Sequence, residues 1–179
     1  MRLISFLPRG RIILGLAALL VADFPGLWSH AWAEESADRF KAGQRATLRG
    51  IRVVRVTVEN IWEDTEMFGL TRDILQTDVE LRLRRAGIGV GPSNEGFLYV
   101  NVSTRRSPNS EVIAFHIEVQ FHQEVVLDRD SKTRISAPTW DTGGTGIVGR
   151  LSVKDYVRKV LADEVDKFIN AYLEQNPRK

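Results

Sequence analysis

The sequence predicts an α+β protein, a two-layer sandwich in which a four-stranded mixed sheet carries two helices on one face. Two observations predict this fold. Four segments alternate apolar and polar side chains with the period of two that is typical of half-buried strands. Two other segments repeat apolar residues every three or four positions, as helices do when they bury one face. The segments follow one another in the order β-α-β-β-β-α.

The first half of this order is a parallel crossover. A strand is predicted over 51–59, where valines alternate with polar side chains. A helix is predicted over 70–86, because apolar residues recur at helical spacing from Leu75 and Gly87 then ends the pattern. The second strand is predicted over 97–104. A right-handed crossover through the helix makes these two strands parallel and places the helix on one face of the sheet.

The second half is an antiparallel meander that ends in a helix. Alternation over 111–128 predicts a long strand, and a tight turn leads into a fourth strand over 133–141. Pro138 lacks an amide proton, which favours a position at the sheet edge for the fourth strand. A final helix with one broad apolar face is predicted over 153–174. Because the second face of the long strand is polar, both helices are expected on the other face.

The amino terminus has the pattern of an export signal. Three arginines within the first eleven residues precede an apolar run over 12–22, and small residues surround Trp32. We therefore interpret 1–33 as a secretory signal peptide that is cleaved after Ala33. The alternative is an uncleaved anchor, which would make this segment the protein's only contact with the membrane. No twin-arginine pair is present, so the general secretory route is expected, with a periplasmic or secreted product.

Composition limits the function classes that remain. The chain has 179 residues, of which 43 % are hydrophobic and none is cysteine, so a disordered chain, a disulfide scaffold and cysteine chemistry are excluded. Residues 34–50 are polar and are predicted to form a flexible arm, followed by a single domain over 51–176. Without the signal segment, 22 basic and 22 acidic side chains remain of the 25 and 23 in the full chain. Such a neutral protein is not expected to bind nucleic acid.

The predicted topology gathers unusual residues at one edge of the sheet. The first, second and fourth strands all run toward this edge, and loops beyond carboxyl ends of strands are where sites tend to form. Tryptophan and arginine are frequent binding anchors, and glycine lets a partner's backbone come close. The candidate partner-binding residues are Trp62, Glu63, Asp64, Arg105, Arg106, Trp140, Gly143, Gly144 and Gly146. The alternative is a structural lid in which the tryptophans close the core and the arginines pair with the acids.

No motif in the sequence predicts a catalytic, metal or cofactor site. Residues 144–149 match the pattern G-x-G-x-x-G, but no parallel strand follows to complete a dinucleotide site, so a flexible connector is expected. His116 and His122 each stand two residues before a glutamate on a strand, which favours a solvated sheet face over a metal site. Neither the G-x-S-x-G nor the H-E-x-x-H pattern occurs. We therefore expect a protein without a cofactor that is not an enzyme.

Two resemblances accompany these expectations. The stretch 139–149, together with 165–170 and the pair Asn176-Pro177, resembles a group of uncharacterised exported bacterial proteins over the last quarter of the chain. This resemblance implies export and implies no activity. The predicted order of elements is similar to small envelope modules, such as the amino-terminal domain of the Tol system's propeller protein and lipopolysaccharide-transport lipoproteins. Unlike those lipoproteins, the chain has no cysteine to carry a lipid.

The function expected from the sequence is that of an exported, non-enzymatic module that binds or assembles with a protein partner in the cell envelope. One alternative is a periplasmic protein that binds a small ligand or a lipid in a groove between the sheet and the helices. The other alternative is an enzyme whose site carries no recognisable motif.

Overall fold

The computed structural model describes residues 25–106 and 110–177. The chain divides into two compact units, Met1–Ser36 and Ala37–Lys179. The basic start and the apolar run of the predicted signal peptide lie outside the described residues. Among the residues that are described, no helix has the length and apolarity needed to span a lipid bilayer. The features discussed below all belong to the second unit.

One mixed sheet forms the centre of the second unit. The helices and strands, in chain order, are α1 (Pro25–Ala46), β1 (Val53–Val58), α2 (Glu63–Glu66), α3 (Arg72–Arg85), β2 (Gly89–Val90), β3 (Phe97–Arg106), β4 (Val112–Leu127), β5 (Asp130–Gly149) and α4 (Val153–Gln175). The strands lie side by side in the order β2-β1-β3-β4-β5. Strand β1 is parallel to both of its neighbours, whereas β4 is antiparallel to β3 and to β5.

This architecture confirms the α+β class and corrects the predicted number of elements. Over the described ranges the structure has five strands and four α-helices, where the sequence predicts four strands and two helices on one face. Strand β2 has two residues and α2 has four, and neither is long enough for its periodic pattern to repeat. Within the stretch predicted to be a flexible arm, α1 continues to Ala46 and Leu48 is completely buried.

The core lies between one face of the sheet and the two helices α3 and α4. Alternate residues of β1, β3 and β4 are buried, including the row from Ile113 to Phe121 on the apolar face of β4. Helix α3 contributes Leu75, Val79 and Leu83 to the same core. The face of α4 that begins at Val153 is buried with them. Burial of these apolar side chains is the main driving force for this arrangement.

Two bidentate ion pairs join α3 to α4. Arg82 donates to both carboxylate oxygens of Asp166 at 2.6 and 2.7 Å, and Arg158 does the same to Asp78 at 2.7 and 2.9 Å. The guanidinium of Arg82 lowers the pKa of Asp166 below its usual value. Forked pairs of this kind define the relative position of two side chains better than single bonds do. They therefore hold the two helices in a defined relative position over the sheet.

The glycine-rich stretch that was predicted to be a flexible connector is part of a strand. β5 continues through it in register with β4, from Thr142 opposite Val119 to Gly149 opposite Val112. A β-carbon on Gly146 would lie 2.7 Å from the ring of Phe115, so the glycine makes room for a core side chain. The prediction was wrong because glycine is depleted in strands in general, whereas this position requires it for packing.

Candidate binding site

Trp62 presents its ring to solvent from the junction between β1 and α2. Its carbonyl accepts hydrogen bonds from the amides of Thr65 at 2.8 Å and Glu66 at 3.0 Å, which hold its backbone at the start of the short helix. Its side chain is nevertheless 61 % exposed. The guanidinium of Arg105, at the end of β3, lies 5.3 Å from the centre of the indole ring. This cation–π contact orients a large aromatic surface that remains accessible.

A buried pair of threonines brings Trp62 and Arg105 together. The hydroxyl groups of Thr65 and Thr104 are 3.0 Å apart, and the amide of Thr104 donates to the Thr65 hydroxyl at 3.1 Å. Both side chains are at most 1 % exposed. Buried polar groups that satisfy each other resist separation, so α2 is held against the end of β3. Sequence reasoning missed this pair, because two threonines 39 residues apart carry no local signal.

The exposed ring forms one wall of an open groove of about 780 Å³, which is lined by Glu59, Asn60, Ile61, Trp62, Glu63, Asp64 and Arg105. Tyr99 donates to the Glu59 carboxylate at 2.7 Å and lowers its pKa. Asp64 also borders a smaller groove next to Arg106, where Met67 is 69 % exposed. The surface around Trp62 thus combines exposed apolar side chains with charges of both signs.

The predicted cluster of nine residues separates into two groups. Five of them meet around these two grooves, namely Trp62, Glu63, Asp64, Arg105 and Arg106. The other four lie on β5, which is separated from β3 by β4. Gly146 is in the same row as Thr104, whereas Trp140 is opposite Phe121, in the row of Leu98. Leu98 precedes Arg105 by seven residues, about 23 Å along a strand. The predicted position of Trp140 was wrong because β5 ends at Gly149 rather than at 141.

Trp140, Gly143, Gly144 and Gly146 have individual roles within the sheet. Trp140 is 5 % exposed, and its ring packs edge-on against Phe168 with centroids 5.2 Å apart, which makes it a core residue. A β-carbon on Gly143 would lie within 3.0 Å of the Ile117 carbonyl oxygen, and Gly146 accommodates a core ring, as described above. Gly144 has more space, since a β-carbon added there would have only the Glu164 carboxylate as a neighbour, at 4.0 Å.

The sheet face opposite helices α3 and α4 carries a half-buried cluster of rings. His122 stacks on Phe97 with centroids 4.9 Å apart and meets Tyr99 edge-on at 5.8 Å. The guanidinium carbon of Arg55 also lies 5.1 Å from the centre of the Phe97 ring. Burial lowers the pKa of His122, and burial together with the Glu59 hydrogen bond raises the pKa of Tyr99 to about 12. Within residues 25–106 and 110–177, no group of three or more histidine or acidic side chains could hold a metal ion.

Protonation of His122 is expected to destabilise the fold. Because its pKa is lowered in the folded state, the unfolded chain binds this proton more readily, and stability falls as the pH drops below about 6.5. Phenylalanine at this position keeps the ring contacts and removes the titrating group. We expect His122→Phe to lose less stability than the native protein between about pH 7.5 and pH 5.5 in urea denaturation. Equal losses in the two proteins would contradict this role of His122.

No protein-family model matches the chain, and no curated protein matches it either. The solved structures that are distantly similar to it include two bacterial proteins. One is a PelC dodecamer from Paraburkholderia phytofirmans, with 16 % identity and a TM-score of 0.42 over 65 % of this chain and 86 % of that chain. The other is a minor lipoprotein from Acinetobacter baumannii, with 11 % identity and a TM-score of 0.34 over 67 % of this chain and 91 % of that chain. Neither similarity is close enough to transfer a function.

Proposed function

We propose that this protein is an exported, non-enzymatic module that binds a protein partner in the cell envelope through the groove beside Trp62. The observation that carries the proposal is the combination of a fixed backbone and an exposed ring at this residue. Tryptophan and arginine dominate the energetics of many interfaces. An aromatic anchor that is already ordered in the free protein loses little conformational entropy on binding.

The surroundings of the ring support a protein partner. Exposed Met67 extends the apolar surface, while Glu63, Asp64 and Arg106 provide charged groups around it. An apolar centre with a polar rim is the usual composition of a protein interface. The open shape of the groove is less suited to a small ligand or lipid, because sites for such molecules enclose most of the ligand surface.

The proposal that the module is not an enzyme rests on the side chains at the groove. Glu59 is engaged by Tyr99, and the residues that line the groove include no histidine, serine, threonine or lysine that could serve as a nucleophile or a base beside the carboxylates. Export, and with it a periplasmic or secreted location, is proposed from the pattern of residues 1–33. The partner is accordingly proposed to be another protein of the cell envelope.

Reversing the two arginine charges tests the proposed interface. We expect Arg105→Glu with Arg106→Glu to reduce the recovery of the partner from envelope extract by about tenfold or more, because loss of an interface anchor costs over about 1.4 kcal/mol. The melting temperature should change little, since exposed charges contribute little to folding. The measurement is quantitative mass spectrometry of proteins captured by the native and variant proteins.

A matched control carries the same change of charge elsewhere. Arg129→Glu with Lys132→Glu alters two exposed residues, one in the β4–β5 turn and one at the start of β5, away from Trp62. This control should recover the partner as the native protein does. Undiminished recovery by the folded Arg105→Glu, Arg106→Glu variant would rule out the groove as the contact site. Equal loss in both variants would attribute binding to overall charge rather than to this surface.

A further inference from the structure

The outer edge of β5 has two parts, which differ in how well they are protected from pairing with the strand of another chain. The first part, 130–141, contains charged residues and Pro138, and its pairing with β4 is interrupted by two shifts of register. The end of the α1 segment also covers it, where the Thr47 hydroxyl donates to the carbonyl of Thr139 at 3.4 Å and the Gln44 side chain bonds to Asp141. Charges, proline, bulges and covering segments are the usual devices that prevent an edge strand from pairing with another chain.

The second part, 142–149, lacks the charges, the proline and the bulges. It contains no charged residue and no proline, and it pairs with β4 in unbroken register over eight residues. Among the described residues, β4 alone forms hydrogen bonds with its backbone. Its length of about 26 Å presents a row of amide and carbonyl groups on the free side. Backbone groups in such a row are satisfied by water or by the strand of a partner.

Apolar side chains surround this free edge. Ile147 is 73 % exposed, and its neighbour across the ladder on the same face is Ala114. Val112 and Leu151, at the same end of the sheet, are 50 % and 101 % exposed. An open strand edge beside exposed apolar residues favours the addition of a strand, because backbone pairing and apolar burial then occur together.

We propose that a second copy of this chain occupies the edge, through antiparallel pairing of 142–149 with the same segment of the other copy. The charges at the ends of the segment support this partner. Asp141 precedes the segment and Arg150 follows it. Antiparallel pairing about a twofold axis brings the acidic end of each copy to the basic end of the other, whereas parallel pairing would place like charges together. The two sheets become one continuous sheet in this dimer.

A lysine in the centre of the edge tests the proposed dimer. Sedimentation equilibrium of the native protein should give twice the mass of the chain. Ile147→Lys should weaken dimerisation by about a hundredfold, because a charged side chain on an edge strand opposes its pairing with another chain. Ile135→Lys is the matched control, since it places the same residue on the protected part of the same strand, where the isoleucine is 46 % exposed. The control should dimerise as the native protein does.

Cross-linking provides a second measurement that does not depend on Ile147→Lys. The chain has no cysteine, so Thr145→Cys introduces one thiol per copy close to the proposed axis. Oxidation should give a disulfide-linked dimer with Thr145→Cys but not with a cysteine in place of Thr133. A native protein that stays monomeric would overturn the proposal. This holds even if the monomer binds an extended peptide at the edge. A dimer that Ile147→Lys leaves intact, or that Thr145→Cys fails to cross-link, would also overturn it. The proposal does not depend on the Trp62 groove, because no residue of β5 lines that groove.

Discussion

Replacing Phe168 by alanine is expected to lower the free energy of unfolding by about 3–5 kcal/mol. Phe168 is completely buried on α4, and its ring lies 5.7 Å from that of Phe121, 5.2 Å from that of Trp140 and 6.4 Å from that of Tyr172. Truncation would remove the ring that joins β4, β5 and α4 and would leave a cavity that rigid strands cannot fill. Urea denaturation followed by circular dichroism measures the change.

The control for this substitution lies on the opposite face of the sheet. Glu118 is on β4, on the face away from helices α3 and α4. Its carboxylate accepts a hydrogen bond from Gln120 at 2.8 Å. Glu118→Ala should change the free energy of unfolding by no more than about 0.5 kcal/mol. Comparable losses in the two variants would mean that the buried and exposed faces of β4 have been assigned incorrectly.

Substitution of Gly143 by alanine is expected to destabilise the protein by about 1–3 kcal/mol. The new β-carbon would lie within 3.0 Å of the Ile117 carbonyl oxygen, an atom of the neighbouring strand. Relief of this clash requires a backbone shift in β4, and β4 is paired with β3 on its other side. Because the clash is with backbone, movement of a flexible side chain cannot relieve it. The loss of stability is therefore expected to appear as a lower midpoint in urea denaturation.

The adjacent glycine is the natural control. Alanine at Gly144 would have only the Glu164 carboxylate nearby, at 4.0 Å, and both positions have the same strand backbone. Gly144→Ala should leave stability unchanged or raise it by about 0.4–1 kcal/mol, because alanine restricts the unfolded chain more than glycine does. If Gly143→Ala and Gly144→Ala behave alike, the close approach at Gly143 does not constrain the sheet.

The periodicity of the sequence predicted the long elements well. Alternation over 111–128 agrees with β4 at Val112–Leu127, and the helical pattern over 70–86 agrees with α3 at Arg72–Arg85. Most residues of the rows expected to point inward are buried, with Ile117 and Leu161 at most 1 % exposed, whereas Val125 and Leu127 at the end of β4 are only partly buried. These features are local, because the spacing of apolar residues within one segment determines which face it can bury. Strand β2 was missed because Gly89 and Val90 are too few to form a pattern.

The candidate site was only partly predictable for a related reason. Trp62 and Arg105 were expected together, since each follows a strand that runs to the same edge of the sheet. Trp140 was placed with them because the glycines after it were read as the end of the strand. In the structure, those glycines continue the strand because the ring of Phe115 and the backbone of Ile117 occupy the space that side chains would need. The low strand propensity of glycine is a property of that residue alone. The requirement for glycine at these positions comes instead from atoms of the neighbouring strand β4.

The sequence by itself determined the class of fold, the order of its long elements and the faces that they bury, because each depends on periodic patterns within a segment. Only the tertiary structure decided how far β5 extends, which part of its edge stays open, and that Trp62 lies under the guanidinium of Arg105. Each of these depends on contacts between residues far apart in the chain, such as the hydrogen bond between Thr65 and Thr104. Such contacts arise only when the packed sheet brings the segments together, so no local pattern encodes them.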